Sequence, residues 1–300
     1  MAETHTSAAD SDRLVLALND ELITIGIPPR PTLLQSIERE MRRDEPDFAV
    51  LETVISLDVG LAASLLKIAK SPFFGVSSGQ VNTVKDALQI LGLKVVGTAI
   101  AGLSLRKAFA NVPNLERFWD ASACIAQISA WLALQLPFEQ RPIRPAEVYT
   151  FGLFRDAGIP VLLSNFSDYF ETLKVANSDP VQLFTAIEDQ EFGVNHAFIG
   201  AKLAKEWELS DDYRLAIEFH HQRDMIAGTG TPVLPDASRY FIAVAQMAEY
   251  FHQQATHKSH TLEWNKLGEA CLAELGLSDE TAGELYERML ADGVPLHPQF

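Results

Sequence analysis

The chain has 300 residues, 47% of them apolar and 21% charged, which is enough to bury a sizeable core in one large domain or two lobes and too apolar for wholesale disorder. Its formal charge of −16 repels phosphate backbones and anionic lipid. With no local basic patch to offset that charge, nucleic acid and membrane surfaces are not expected partners, and proteins or small ligands are.

Residues 1–13, MAETHTSAADSDR, form a small, polar tail that does not read as a secretion signal. DRLVLALNDELITIG gives a short helical period, stopped by the prolines of IPPRP, residues 27–31. PTLLQSIEREMRRD is the next predicted helix, with Leu33, Leu34, Ile37 and Met41 as its apolar stripe. EPDFAVLETVISLDVGLAASLLKIAKS contains two more, broken at residues 56–60: Phe48, Leu51 and Ile55 line the first, Leu61, Leu65 and Ile68 the second, and Asp58 caps the second. SPFFGVSSGQ is a turn-rich link that Phe73 and Phe74 pin to the core. In NTVKDALQILGLKVVGTAIAGLSLRKAF, Val84, Ala87, Leu88 and Leu91 keep helical spacing until Gly92, which permits a left-handed helix end and a helical hairpin. This glycine-containing stretch lacks the spacing and lysine of a phosphate loop, and its run VVGTAIAGLSL is too short to cross a bilayer.

VPNLERFWDASACIAQISAWLALQL opens a longer helix bridging into the second half, with Phe118, Ala121, Ile125, Ile128 and Leu132 on its buried side and Trp119 sealing an adjoining groove. After the proline-rich link PFEQRPIRP, AEVYTFGLFRDAGIPVLLSNF reads as a helix in which Pro160 cannot donate to the Asp156 carbonyl, so a kink is expected beside that acid. Phe192, His196, Ile199, Leu203 and Trp207 share one face of the next strongly periodic helix, which turns His196 inward. SDDYRLAIEFHHQRD supplies a partner helix capped by Ser210, followed by the Gly/Pro-rich loop DMIAGTGTPVLPDA, long enough to shape a groove. SRYFIAVAQMAEYFHQQ, KLGEACLAELG and SDETAGELYERML complete the set. Cys124 and Cys271 fall in amphipathic helices as buried free thiols, which suits a reducing cytoplasm. No alternating strand pattern occurs, so the predicted fold is all-α.

Asp156, His196, His220 and His221 are spaced so that they can converge across several helices on one interior site, whereas Arg155, just before Asp156, has no lone pair to give a metal. Seven motifs run in register over most of the chain, residues 18–245: IPPRP, ISLDVGLAASLLKIAKSPFFG, VKDALQILGLK, RFWDAS, LFRDAGIPVLL, NHAFIGAKLAKEW and AIEFHH. On these the chain resembles the HDOD family, the non-catalytic signalling relatives of the HD phosphohydrolases. The resemblance implies a helical N-terminal lobe, residues 14–117, packed on a degenerate HD-like lobe, residues 118–300, in a bacterial regulatory protein. It also implies that Ala121 stands where the HD enzymes carry their first histidine ligand, Arg155 where they carry the histidine of the His-Asp pair, and Gln246 where they carry a later aspartate.

On that alignment two-metal hydrolysis is not expected, and no cofactor is expected either, although one weakly held divalent ion among Asp156, His196 and His220 stays open. The expected role is a regulatory module acting through a signalling protein partner, with oligomeric state left open. A metal-dependent phosphohydrolase of the HD type and a nucleotide-binding scaffold without turnover are the alternatives. Plainer roles also exist for these residues. His196 reads first as a hydrogen-bonded core residue, and Arg155 pairs with Asp156, Glu188 or Glu191. His220 and His221, about 100° apart on a continuous helix, leave at most one aimed at Asp156. Lys67, Lys70, Lys85 and Lys94 read as separate solvated side chains.

Overall fold

The computed structural model describes residues 27–70, 81–113, 115–136, 143–258 and 261–297. Those residues form sixteen helices and no strand, as the apolar spacing predicts. The helix expected within residues 12–26 and the pinning role of Phe73 and Phe74 lie outside the described residues.

Five helices make the N-terminal part: α1 (Thr32–Met41), α2 (Phe48–Ser56), α3 (Val59–Lys70), α4 (Val84–Leu91) and α5 (Leu93–Ala108). Their starts are written in side chains that accept otherwise orphaned backbone donors. Asp47 takes the amides of Ala49 and Val50 at the head of α2. Asp58 takes that of Leu61 at 3.2 Å and also pairs with Lys107 of α5 at 2.5 Å, and Thr83 with Asp86 forms a reciprocal cap on α4. Gly92, at φ +73°, makes the turn between α4 and α5. Leu34, Ile37, Leu51, Ile55, Leu61, Leu65, Ile68, Ala87 and Leu88 are all buried, so the predicted stripes are the packed faces.

The remainder comprises α6 (Glu116–Gln135), α7 (Pro145–Phe154), α8 (Gly158–Asn165), α9 (Tyr169–Ser178), α10 (Phe184–Phe192), α11 (His196–Glu206), α12 (Asp211–Phe219), α13 (Arg223–Ile226), α14 (Asp236–Thr256), α15 (Glu263–Leu275) and α16 (Asp279–Ala291). Helix α6 is not one-faced. Ile125, Ile128 and Leu132 are buried as expected, but Phe118 and Ala121 are only half-buried, while Ala123, Cys124, Ala126, Ser129, Ala130 and Trp131 are buried as well. Both α7 and α14 pack on it, so it needs more than one apolar face. Small residues make this possible: a Cβ on Gly152 of α7 would lie 2.8 Å from the Ala126 Cα. Ser129 enters the core by returning its hydroxyl proton to the Ile125 carbonyl at 2.7 Å. Trp119 is buried, edge-on to Phe118.

A continuous apolar core runs from Leu34 in α1 to Val294 beyond α16. The two parts are also joined at a defined point. Trp207, just past α11, is 1% exposed, packs edge-on against Phe154 at 6.1 Å, and donates its indole N–H to the Pro28 carbonyl at 3.0 Å, beside an Arg30–Glu208 ion pair of 2.9 Å. Cys124 and Cys271 are buried free thiols. Among the described residues no single helix is long and apolar enough to cross a membrane.

Candidate functional site

Three interruptions of helix build the site. The predicted helix through residues 146–166 does more than kink: α7 ends at Phe154, the chain turns through residues 155–157, and α8 starts at Gly158. Pro160 is then the third residue of α8, inside the first turn, where an amide has no intrahelical acceptor to lose. The helix predicted to carry both Phe192 and His196 is likewise two helices. Gly193, at φ +69°, closes α10, and Asn195 caps α11 by accepting from the Phe198 amide at 2.8 Å, so His196 is a first helical residue. Ser210 occupies the cap position of α12 through its backbone, without the predicted side-chain bond. Helix α12 stops at Phe219, and the turn through His220 and His221 removes the 100° separation of a continuous helix, so both rings enter the interior.

The four side chains meet closely. His220 Nε2 lies 3.2 Å from Asp156 Oδ1, His196 Nε2 lies 3.3 Å from His220 Nε2 and 3.7 Å from Asp156 Oδ1, and His221 Nε2 lies 3.1 Å from His196 Nε2. All four potential ligand atoms fall within 4.8 Å of one another. His196 and His220 are wholly buried, and Asp156 keeps 19% of its side-chain exposure. Each imidazole uses its other nitrogen on an oxygen outside the cluster: His196 Nδ1 on Glu188 at 2.7 Å, His220 Nδ1 on the Ile217 carbonyl at 2.7 Å, and His221 Nδ1 on Glu263 at 2.6 Å.

The second oxygen of Asp156 belongs to Arg155, whose Nη2 reaches Oδ2 at 2.8 Å and Glu249 at 3.0 Å. Of the expected partners Asp156 alone is used; Glu188 serves His196 instead, and Glu191 is exposed. Gln246 stands beside the guanidinium, its Oε1 3.5 Å from Arg155 Nη1 and its amide 3.4 Å from the His220 carbonyl. Ala121 lies on α6 and brings no polar atom to the cluster.

Burial and charge act against each other here. Burial raises the Asp156 carboxyl, but the Arg155 guanidinium and the His220 and His196 rings outweigh it and hold the group well below the usual carboxylate range. Burial lowers His196, yet the Glu188 carboxylate brings it above its ordinary value. His220, with no such carboxylate on its far side, is pushed down to about 3 by burial and the neighbouring His221. Burial opposes ionisation of Glu263, but His221 and Lys266 keep it at about 2.

Three imidazole nitrogens and one carboxylate oxygen, all aimed at a common centre, fit a single divalent cation. The sequence places His221 in the site but not among the one-ion candidates Asp156, His196 and His220, and periodicity does not reveal Glu249 and Glu263 as supports. The available signal was an acid inside an apolar pattern: Glu249 interrupts the buried run of α14, and Glu263 is 2% exposed at the head of α15.

A family model described as the HDOD domain matches residues 27–223. Among curated proteins, an uncharacterized protein of Treponema pallidum (strain Nichols) is 26% identical over 200 residues, 65% of this chain but 37% of that protein, so the chain spans well under half the length of that relative. An HDOD domain protein with unknown function from Geobacter sulfurreducens superposes with a TM-score of 0.63 at 22% identity, over 94% of this chain and 95% of that one. A candidate signal transduction protein from Marinobacter aquaeolei VT8 gives 0.64 at 23%, over 94% and 63% of the two chains. A candidate phosphohydrolase from Shewanella amazonensis SB2B gives 0.62 at 19%, over 94% and 96%. All three share the fold.

Proposed function

Because this chain belongs to the HDOD family, we propose that it is a non-catalytic regulatory module of bacterial signal transduction, which acts by contact with a protein partner and not by turnover. Arg155 carries this reading. Its guanidinium, 4% exposed, stays cationic at any working pH, has no lone pair, and is locked between Asp156 and Glu249. Two-metal hydrolysis needs a carboxylate free to share between ions and an activated water between them. Here one oxygen of Asp156 is committed to a fixed positive charge, and Ala121 and Gln246 replace ligands with a methyl group and a neutral amide.

One divalent ion would be held by Asp156, His196, His220 and His221, and when bound it would supply Lewis-acid polarisation. The burial of the three imidazoles leaves such an ion without the open side that a water nucleophile and a phosphoester require. The formal charge of −16 favours a partner with a basic face.

The test is to assay purified protein with Mn, Fe, Ni and Zn against phosphomonoesters, nucleotides and cyclic dinucleotides, beside an Asp156→Ala control, and to reconstitute a stoichiometric complex with a purified signalling protein. A complex without turnover is expected. Metal-stimulated turnover that disappears in Asp156→Ala replaces this reading with the hydrolase.

A further inference from the structure

We propose that Glu188 and Glu263, with the Ile217 carbonyl, are the positioning groups of a closed one-ion cage. In it the Nε2 atoms of His196, His220 and His221 and Oδ1 of Asp156 surround a nitrogen-preferring divalent ion of the zinc class. The inference rests on the non-catalytic reading only in making that ion structural.

A neutral imidazole has one N–H and one lone pair, and the partner of one nitrogen decides which atom carries the proton. All three Nδ1 atoms face oxygen acceptors that are carboxylates or a carbonyl, at 2.6–2.7 Å. In the neutral ring each Nδ1 donates outward, and each Nε2 lone pair points inward. Asp156 Oδ1 adds a fourth. With the rings neutral, the three Nε2 atoms and Oδ1 converge at separations of 3.1, 3.2, 3.3 and 3.7 Å, and a positive charge at their centre, a metal ion or a proton on His196, offsets their mutual repulsion in this buried space.

Four of the six ligand-atom separations, 3.1–3.7 Å, lie near the spacing that such a cation sets. Ligand bonds of about 2.0–2.1 Å in tetrahedral array set the ligand atoms about 3.3–3.4 Å apart. A set of three nitrogens and one oxygen suits zinc and its neighbours, whereas magnesium and calcium take oxygen shells of six or more. The supports are themselves supported. The Tyr169 hydroxyl donates to Glu188, which also accepts the His196 amide at 3.1 Å, and Lys266 donates to the free oxygen of Glu263 at 2.7 Å. Carboxylate–histidine pairs of this kind fix ring orientation and raise ligand basicity. Glu188 comes from α10 and Glu263 from α15, so helices that supply no ligand still set the cage.

Chelator-stripped full-length protein should be titrated with Zn²⁺ and with Co²⁺, reading stoichiometry by elemental analysis, affinity by calorimetry, coordination by the visible absorption of cobalt, and melting temperature. Expected are one ion per chain, the intense absorption of tetrahedral cobalt, a raised melting temperature, and no response to Mg²⁺ at the same concentration. Glu188→Gln and Glu263→Gln should each weaken Zn²⁺ binding about 10–100-fold, while Glu269→Gln, an exposed acid on α15, binds as wild type. The wild-type cobalt spectrum decides the cage even where a variant does not fold. No retained ion, or an octahedral spectrum, overturns the cage and leaves the regulatory reading standing. Unchanged affinity in both glutamate variants overturns their positioning role. Two ions per chain with phosphoester turnover overturn the closed cage and the regulatory reading together.

Discussion

Gly158 lies against the backbone of His196 so tightly that a Cβ on it would be 2.0 Å from the His196 carbonyl oxygen and 2.9 Å from the Gly200 amide. Backbone cannot yield as a flexible side chain can, so this crossing of α8 and α11 requires glycine. Gly158→Ala should destabilise the fold by about 3 kcal/mol or more, from forced separation of the two helices. Chemical denaturation measures it, and a variant as stable as wild type would contradict the crossing.

Gly283 is the opposite case. It sits within α16, at ordinary φ, and a Cβ there meets nothing within 4 Å. Gly283→Ala should stabilise the protein by about 0.5–1 kcal/mol through reduced backbone freedom in the unfolded chain. The same denaturation experiment reads it, and a loss of stability would place that residue in a contact absent from this structure.

Arg155 bridges two half-buried carboxylates. Arg155→Met should cost about 3–5 kcal/mol, because Asp156 and Glu249 then face each other without the guanidinium. Adding Glu249→Gln should recover part of that loss by removing one of the two charges. If the double variant is no more stable than the single, repulsion between those acids is not the source of the cost.

Glu263 gives a pH dependence of known sign. Its carboxyl is held at about 2 against an ordinary value near 4.5, so the folded chain binds fewer protons than the unfolded one between those values. The associated stability is complete above about pH 4.5 and is lost as pH falls toward 2. Melting temperatures of metal-free wild type should therefore fall more steeply over that window than those of Glu263→Gln. Parallel curves would assign the acid sensitivity to other groups.

Trp207 ties the end of α11 to Pro28 ahead of α1. Trp207→Ala should cost about 3–5 kcal/mol in lost burial, and Trp207→Phe, which retains most of the ring but not the N–H bond to Pro28, nearer 1 kcal/mol. Comparison of the two by urea unfolding separates packing from hydrogen bonding.

Periodicity and proline placement located the helices well because packing at Leu51, Ile55, Leu65 and Leu88 follows the 3.6-residue rule directly. They failed where the chain leaves the helix without an obvious breaker. A period continued past Phe219 leaves at most one of His220 and His221 aimed at Asp156, and it carries His196 mid-helix although Gly193 and Asn195 spell a stop and a start. Helix α6 presented a single stripe on paper because serine and alanine do not announce burial. Glu249 and Glu263 could not be paired with Arg155 and His221 in advance, since contacts between distant helices leave no local trace in the chain.

Helix α11 begins with His196 in the cluster and stops just before Trp207, whose indole holds Pro28. Eleven residues of helix span about 16 Å, so one stiff rod has a buried polar centre at one end and the entrance of the N-terminal part at the other. Free energy around a closed cycle must balance. If a partner at residues 27–30 and an ion in the cluster both favour the same placement of α11, each raises the affinity for the other by the same factor.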